Sequence, residues 1–185
     1  MKIIQIGLVL LLGGCAGLES PDSASPYYAY PPGWEVQLYR PLTIEPDAAT
    51  VRLQFGQIVP RNGVREYAPY CVVELNTVRA EPQTLQPGRF EVVGVTRSIS
   101  TIAAAAAATS PFVKAAHLGY VGPSSLYYKT EFTLRDPAQP NLRSMTCAWD
   151  QLAPGYMGFM RHLTVDEMNS ALGDWMRLIP PAERI

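Results

Sequence analysis

The sequence predicts a mainly β protein, an antiparallel β-sandwich or a partly open barrel with a short helical insertion and a C-terminal α-helix. Three observations lead to this prediction. Apolar and polar residues alternate along six or seven short runs, as they do in half-buried strands. Turn sequences such as Arg61-Asn62-Gly63 and Gln86-Pro87-Gly88 separate these runs. Apolar residues at helical spacing are confined to the end of the chain.

Composition limits the classes of function. The 185 residues are 48% hydrophobic and 17% charged, which excludes a disordered polymer and allows one globular domain. Fifteen Lys and Arg residues nearly balance sixteen Asp and Glu residues. A net charge of −1 provides no excess of positive charge to attract DNA or RNA, so we expect no nucleic-acid partner.

The first element is a signal peptide that resembles that of a bacterial lipoprotein. Lys2 precedes the apolar run 3–12, which is about half as long as a bilayer-spanning helix. The run ends in Leu12-Gly13-Gly14-Cys15. This ending is similar to a lipobox, in which a peptidase cleaves before the cysteine and the thiol receives diacylglycerol.

The resemblance implies that residues 1–14 are removed and that acylated Cys15 anchors the chain in a lipid bilayer. Ala16 follows, where Asp would favour retention in the inner membrane. The expected location is therefore the bacterial outer membrane, with the domain facing the periplasm. A plain signal peptide with an incidental cysteine is the alternative.

Residues 15–33 are predicted to form a Pro- and Ser-rich tether between the lipid and the domain. In a polyproline-like conformation it would hold the domain up to about 50 Å from the membrane. Tyr27, Tyr28 and Tyr30 interrupt the tether. They either meet a partner or the membrane interface, or dock on their own domain, and we favour docking.

Residues 34–185 are predicted to form a single periplasmic domain. Its strands are expected at 34–40, 51–55 with a continuation at 58–59, 70–78, 90–99, 127–135 and 142–149. Gly56 is expected to mark a bulge or bend.

Two regions depart from this strand pattern. The insertion 99–126 contains six consecutive alanines at 103–108 and a helix start at Ser110-Pro111, and we interpret it as a variable surface insertion or a mobile flap. The C-terminal helix is predicted over 164–178, because Thr164 and Glu167 have capping-box spacing ahead of an apolar stripe.

Cys71 and Cys147 each lie in a strand-like run. In an oxidising compartment two such cysteines are expected to form a disulfide. A metal or redox pair is the alternative, but neither cysteine has a histidine neighbour and no Cys-x-x-Cys is present. We therefore favour the Cys71–Cys147 disulfide.

The sequence offers little catalytic chemistry. His117 and His162 are isolated, and no Gly-x-Ser-x-Gly motif, phosphate-binding loop or zinc-ligand set is present, so we expect no cofactor and no metal. A pair of carboxylates could still cleave a glycan. The carboxylates in or near strands are Glu66, Glu74, Glu91, Glu131 and Asp150.

Four tyrosines are the candidate binding surface. Tyr67, Tyr70, Tyr127 and Tyr128 could cluster on one face of the sheet, and tyrosine is favoured at protein interfaces. The simpler interpretation is ordinary packing within a sheet, where aromatic residues are common.

Several runs along the chain resemble a family of small, uncharacterised proteobacterial lipoproteins. The similar runs are Arg40-Pro41-Leu42-Thr43-Ile44, Val51-Arg52-Leu53-Gln54-Phe55-Gly56, Tyr67-Ala68-Pro69-Tyr70-Cys71 and Leu142-Arg143-Ser144-Met145-Thr146-Cys147. The resemblance implies the lipid anchor and the Cys71–Cys147 pair, and it implies no activity.

The expected function is that of a non-enzymatic outer-membrane lipoprotein that presents a disulfide-bonded β-domain to an envelope protein. The alternatives are a periplasmic ligand-binding or inhibitor module and a cell-wall glycan hydrolase. A partner-binding module should expose an apolar or aromatic patch. A ligand-binding module should enclose a pocket, and a hydrolase should place two carboxylates in a cleft.

Overall fold

The structure, a computed structural model, describes residues 20–103, 123–151 and 160–181. Within these ranges the fold is mainly β with one α-helix, as the alternating pattern predicts. The strands are β1 (Glu35–Leu38), β2 (Leu42–Ile44), β3 (Ala48–Gln54), β4 (Gln57–Val59), β5 (Tyr70–Arg79), β6 (Gln83–Leu85), β7 (Gly88–Ala103), β8 (Pro123–Arg135), β9 (Leu142–Asp150) and β10 (Met176–Ile179). The helix is α1 (Val165–Leu172), and Arg61–Gly63 forms a 3-10 turn.

Eight of these strands form one antiparallel sheet in the order β10-β1-β7-β8-β9-β5-β3-β4. Helix α1 contacts β10 at one edge of the sheet and also β3 and β5 near the other edge. One helix reaches both sides only because the sheet curls around it, so the fold is a half-barrel. β2 and β6 form a small second sheet, which contributes the buried side chains Leu42, Ile44 and Leu85 to the core.

The sheet has a buried face toward α1 and a face toward solvent. Leu53, Cys71, Cys147 and Phe132 lie on the helix side and are fully buried. Cys71 and Cys147 are direct neighbours on β5 and β9, and they form the predicted disulfide. On the solvent face, ion pairs cross between strands, as Glu91–Arg135 does at 2.7 Å.

Helix α1 begins as predicted, with Thr164 and Glu167 forming a reciprocal capping box. It ends at Leu172, so the predicted range 164–178 is too long. Gly173 leaves the helix with a φ of +58° and packs against the backbone of Gly56. Beyond it, buried Met176 and Leu178 alternate with exposed Arg177, which is the period of a strand.

The predicted limits of the insertion, 99 and 126, are also too wide. β7 continues to Ala103 and β8 begins at Pro123, and the two strands pair along this extension. The predicted helix in the insertion lies in residues 104–122, outside the described residues.

Residues 20–34, named here the docked segment, belong to the folded body. Ser20 and Tyr28 form an isolated bridge, and Arg97 donates a 2.6 Å hydrogen bond to the carbonyl of Tyr28. The rings of Tyr28, Tyr30 and buried Trp34 pack edge to face at 5.0–5.7 Å. The prediction of an extended tether is therefore wrong for residues 20–33, because aromatic burial outweighs the Pro- and Ser-rich composition.

Tyr28 and Tyr30 dock on their own domain, as favoured above, whereas Tyr27 remains 49% exposed. Tyr30 also contacts Phe132 of β8, at a ring distance of 5.2 Å. In the described part of the chain, α1 is too short to cross a bilayer, and no other helix is long and apolar enough to do so.

Candidate functional site

The structure does not gather the four predicted tyrosines on one face. Tyr70 pairs with Ala148, and Ala148 pairs with Lys129, two residues after Tyr127. Tyr70 and Tyr127 therefore share the solvent side of the sheet. Tyr128 points to the opposite side, because successive strand residues alternate, and Tyr67 lies in the loop before β5 with 44% of its surface exposed.

Tyr70 and Tyr127 form a structural cluster with acidic neighbours. Burial raises the pKa of Tyr70 to about 12, and the charges of Glu66 and Asp150 add to this increase while Arg52 opposes it. Burial also raises the pKa of Tyr127, as does its hydrogen bond to Glu66. Both phenols therefore remain protonated at neutral pH. Tyr127 is only 7% exposed, which makes it a poor contact for a partner.

Three of the five carboxylates of the hydrolase alternative, Glu74, Glu91 and Asp150, are engaged in structural contacts. Glu74 and Glu91 form cross-strand ion pairs with arginines, Arg143 and Arg135 respectively. Asp150 is 2% exposed and accepts a 2.9 Å hydrogen bond from the backbone of Leu126. Within the described ranges, no group of three or more His, Cys, Asp or Glu residues could hold a metal ion.

The turn between β3 and β4 presents an exposed aromatic side chain that the sequence reasoning missed. Phe55 has a φ of +52° and Gly56 a φ of +71°, which is the pattern of a tight hairpin turn. A positive φ is strained for a bulky residue such as phenylalanine. The Phe55 side chain is also 57% exposed. Strain of this kind, maintained by the surrounding structure, is found at binding sites.

A small apolar depression lies beside Phe55. It has a volume of about 220 Å³, and its accessible lining is almost wholly apolar. We name it the turn pocket, and its lining residues are Phe55, Pro69, Asp166, Glu167, Ser170 and Ala171. One wall thus comes from the β3–β4 turn, one from the loop before β5 and one from α1.

Hydrogen bonds hold two of the walls of the turn pocket, the loop before β5 and the β3–β4 turn. Gln54, which is 1% exposed, donates to the carbonyls of Arg65 (2.8 Å) and Ala68 (3.2 Å) and accepts from the Arg65 amide at 2.9 Å. The Gly56 amide donates to the carbonyl of Ala171 at 3.0 Å. The loop and the turn are therefore held in place before any partner arrives, which lowers the entropic cost of binding.

The sequence contained only a partial signal for this site. The sequence predicts a bulge or bend at Gly56, whereas in the structure Gly56 forms the tight turn together with Phe55. The wall supplied by α1 lies more than a hundred residues further along the chain, and no periodicity connects it to the turn.

His162 lies just before α1, away from the turn pocket. Its ring packs edge to face on Tyr128 with 5.2 Å between centroids. Burial and, to a smaller extent, the nearby positive charge of Arg97 lower the pKa of His162 to about 4, against an opposing hydrogen bond with the backbone of Lys129. His162 is therefore neutral at pH 7. Cys15 and His117 lie outside the described residues.

The low pKa of His162 predicts a loss of stability in mild acid. In the unfolded chain the imidazole binds a proton near pH 6.5, whereas in the folded chain it does so near pH 4. The unfolded state thus binds more protons between these values, and stability falls as the pH is lowered through this window. For a half-buried group we expect a loss on the order of 1–2 kcal/mol.

Urea unfolding at several pH values measures this effect. His162→Gln should flatten the profile between pH 6.5 and 4.5, and His117 is retained in both proteins. Burial would raise the pKa of Glu167, but hydrogen bonds from Arg161 and Thr164 outweigh it and lower the pKa, and this group is the same in both proteins. Identical profiles for the variant and the wild type would contradict the assignment.

A second depression, the N-terminal groove, lies where the docked segment meets α1 and β10. Its volume is about 820 Å³ and it is open to solvent. Pro21, Pro32, Pro180 and Pro181 are among its lining residues, together with Asp166, which also lines the turn pocket. The two depressions therefore lie on neighbouring faces of α1, which meet at Asp166.

Comparison with known proteins adds nothing to this geometry. No protein-family model matches the chain, and no curated protein or solved structure is significantly similar to it.

Proposed function

We propose that the protein is a non-enzymatic lipoprotein of the bacterial outer membrane that binds another envelope protein through its β-domain. Acylated Cys15 anchors the chain, and the disulfide-bonded half-barrel supplies a rigid support. The observation that carries the proposal is the exposed Phe55 beside the apolar turn pocket.

The turn pocket has the composition of a small protein-binding site. An apolar centre and a charged rim are typical of such interfaces. Phe55 and Pro69 form the apolar part of the lining, and α1 contributes the charged residues Asp166 and Glu167. The Arg65 guanidinium lies 6.0 Å from the centroid of the Phe55 ring. The partner residue that fits the pocket is an apolar or aromatic side chain presented by a neutral or basic segment.

The disulfide supports an envelope location for the domain. Disulfides persist in oxidising compartments such as the periplasm and are rare in the cytosol. The Cys71–Cys147 bond is completely buried between β5, β9 and α1. A partner-binding surface supported in this way keeps its shape without a ligand.

The variant Phe55→Asn tests the proposal with little risk to folding. Asparagine tolerates a positive φ and precedes glycine in the most favourable hairpin turns, so stability should be unchanged or slightly higher. Removal of a central aromatic contact should weaken partner binding by roughly 2 kcal/mol, which is about 30-fold. The measurement is affinity capture of the acylated protein after cross-linking in intact envelopes.

Tyr39→Asn is the matched control, because Tyr39 is similarly exposed, at 52%, and does not line the turn pocket. The proposal predicts that a stoichiometric partner is captured by the wild type and by the Tyr39 variant and is lost from the Phe55 variant. Equal capture by all three proteins would contradict a binding role for the turn pocket.

A further inference from the structure

The docked segment leaves very little chain between the proposed lipid anchor and the folded body. Hydrogen bonds already hold the body at Ser20, whose amide donates to the carbonyl of Tyr27 and whose carbonyl accepts from Ala29, both at 2.9 Å. Only residues 16–19 separate Ser20 from Cys15. Five fully extended residues span at most about 18 Å. The tether is thus roughly a third of the length that composition suggests.

We infer that the body is held against the surface of the bilayer, with the N-terminal groove and the docked segment facing the phospholipid headgroups. This inference rests on the proposed function, because it requires acylation of Cys15. The occupant of this surface is the phospholipid leaflet in which the acyl chains are inserted. Orientation follows from the point at which the chain leaves the body, since the bilayer lies within about 18 Å of Ser20.

The residues around this exit point suit contact with headgroups. Tyr27 is 49% exposed, and tyrosine is favoured where an apolar region meets a polar one. Arg177 lies in the lining of the groove and is exposed, so its charge is available to anionic headgroups and offsets the negative charge of Asp166 in the same lining. Pro21, Pro32 and Pro180 are exposed beside it and bear no charge.

This placement also locates the partner. The turn pocket and the N-terminal groove both include Asp166, on α1. A helix with its side chains is about 10 Å in diameter, so the turn pocket lies about that distance from the membrane-facing groove. A protein bound at the turn pocket would thus itself be close to the outer membrane.

The position of the membrane can be measured by fluorescence quenching on vesicles. The acylated full chain is inserted into vesicles of phosphatidylethanolamine and phosphatidylglycerol that contain a lipid with a nitroxide on its headgroup. A fluorophore is attached to Ser23→Cys, at an exposed position in the N-terminal groove. The matched position is Val78→Cys, which is 61% exposed. The antiparallel register places Val78 level with Gly88 at the start of β7, whereas the docked segment contacts β7 further along, at Val95 and Arg97.

The inference predicts quenching that is several-fold stronger for the label at position 23 than for the label at position 78. Insertion of about 14 Gly and Ser residues between positions 19 and 20 adds a flexible chain of roughly 20 Å, and it should remove most of this difference.

Two outcomes would overturn the inference, and they are distinguishable by mass spectrometry. Equal quenching at positions 23 and 78, in protein shown to be acylated, would overturn the membrane-facing orientation alone. A chain that carries no acyl group and does not bind the vesicles would overturn this inference together with the proposed function.

Discussion

Replacement of both Cys71 and Cys147 by alanine is expected to lower the free energy of unfolding by about 4 kcal/mol. The bond joins residues 76 positions apart, and a loop of this length restricts the unfolded chain strongly. In the folded state both residues are fully buried between adjacent strands, with the Cys71 sulfur 3.9 Å from a carbonyl oxygen of α1. The variant therefore also loses packing at the centre of the half-barrel.

Urea unfolding, with every protein in the Cys15→Ala background, measures this loss without a contribution from lipid. A reducing agent should bring the disulfide-containing protein close to the double variant and should leave the double variant unchanged. A difference below about 1 kcal/mol would show that the bond contributes little to stability.

The second large effect is expected at Gly173, where replacement by alanine should lower the free energy of unfolding by about 3 kcal/mol or more. The backbone has φ +58° and ψ −135°, a conformation that side chains rarely adopt. An added Cβ would also collide with the backbone of Gly56 in the β3–β4 turn. Gly56 is held in place by its hydrogen bond to the carbonyl of Ala171, so it cannot move away from the added Cβ without losing that bond, and the two costs add.

Gly94→Ala is the matched control for this substitution. Gly94 lies in β7, has no positive φ, and its nearest neighbour would be 3.7 Å from an added Cβ. Alanine should therefore change stability there by less than about 1 kcal/mol. Similar thermal unfolding of the two variants would contradict the proposed contact between the turn and the end of α1.

The same contact shows what the sequence could not reveal. The alternation of Val51 and Leu53 with Arg52 predicted β3, and Thr164 with Glu167 predicted the start of α1, because these signals are local. Gly173 alone could be read as a weak point inside a helix. Only the approach of Gly56 from a distant hairpin requires the helix to end there.

Short strands were missed for a related reason. β2 and β6 have three residues each, too few for alternation to be distinguished from chance. β10 follows α1 so closely that Trp175 and Met176 fit the helical stripe as well as a strand. The docked segment is held to the body by the burial of Tyr28 and Trp34, which outweighs a composition that is typical of a tether.

The candidate site was predictable only in part. The disulfide was predicted correctly, since two cysteines in strand-like runs leave few alternatives. The prediction of a tyrosine surface was wrong, because Tyr127 and Tyr128 are consecutive and must point to opposite faces of β8. Phe55 escaped notice because its exposure depends on a strained turn that no sequence period indicates.

Acylation of Cys15 is the central claim, because the location, the partner and the membrane-facing orientation all depend on it. The most direct measurement is metabolic labelling of cells with radioactive palmitate, followed by separation of the two membranes. The wild type should incorporate the label and sediment with the outer membrane, and Cys15→Ala should do neither. An unlabelled wild type recovered in the soluble periplasmic fraction would contradict the claim.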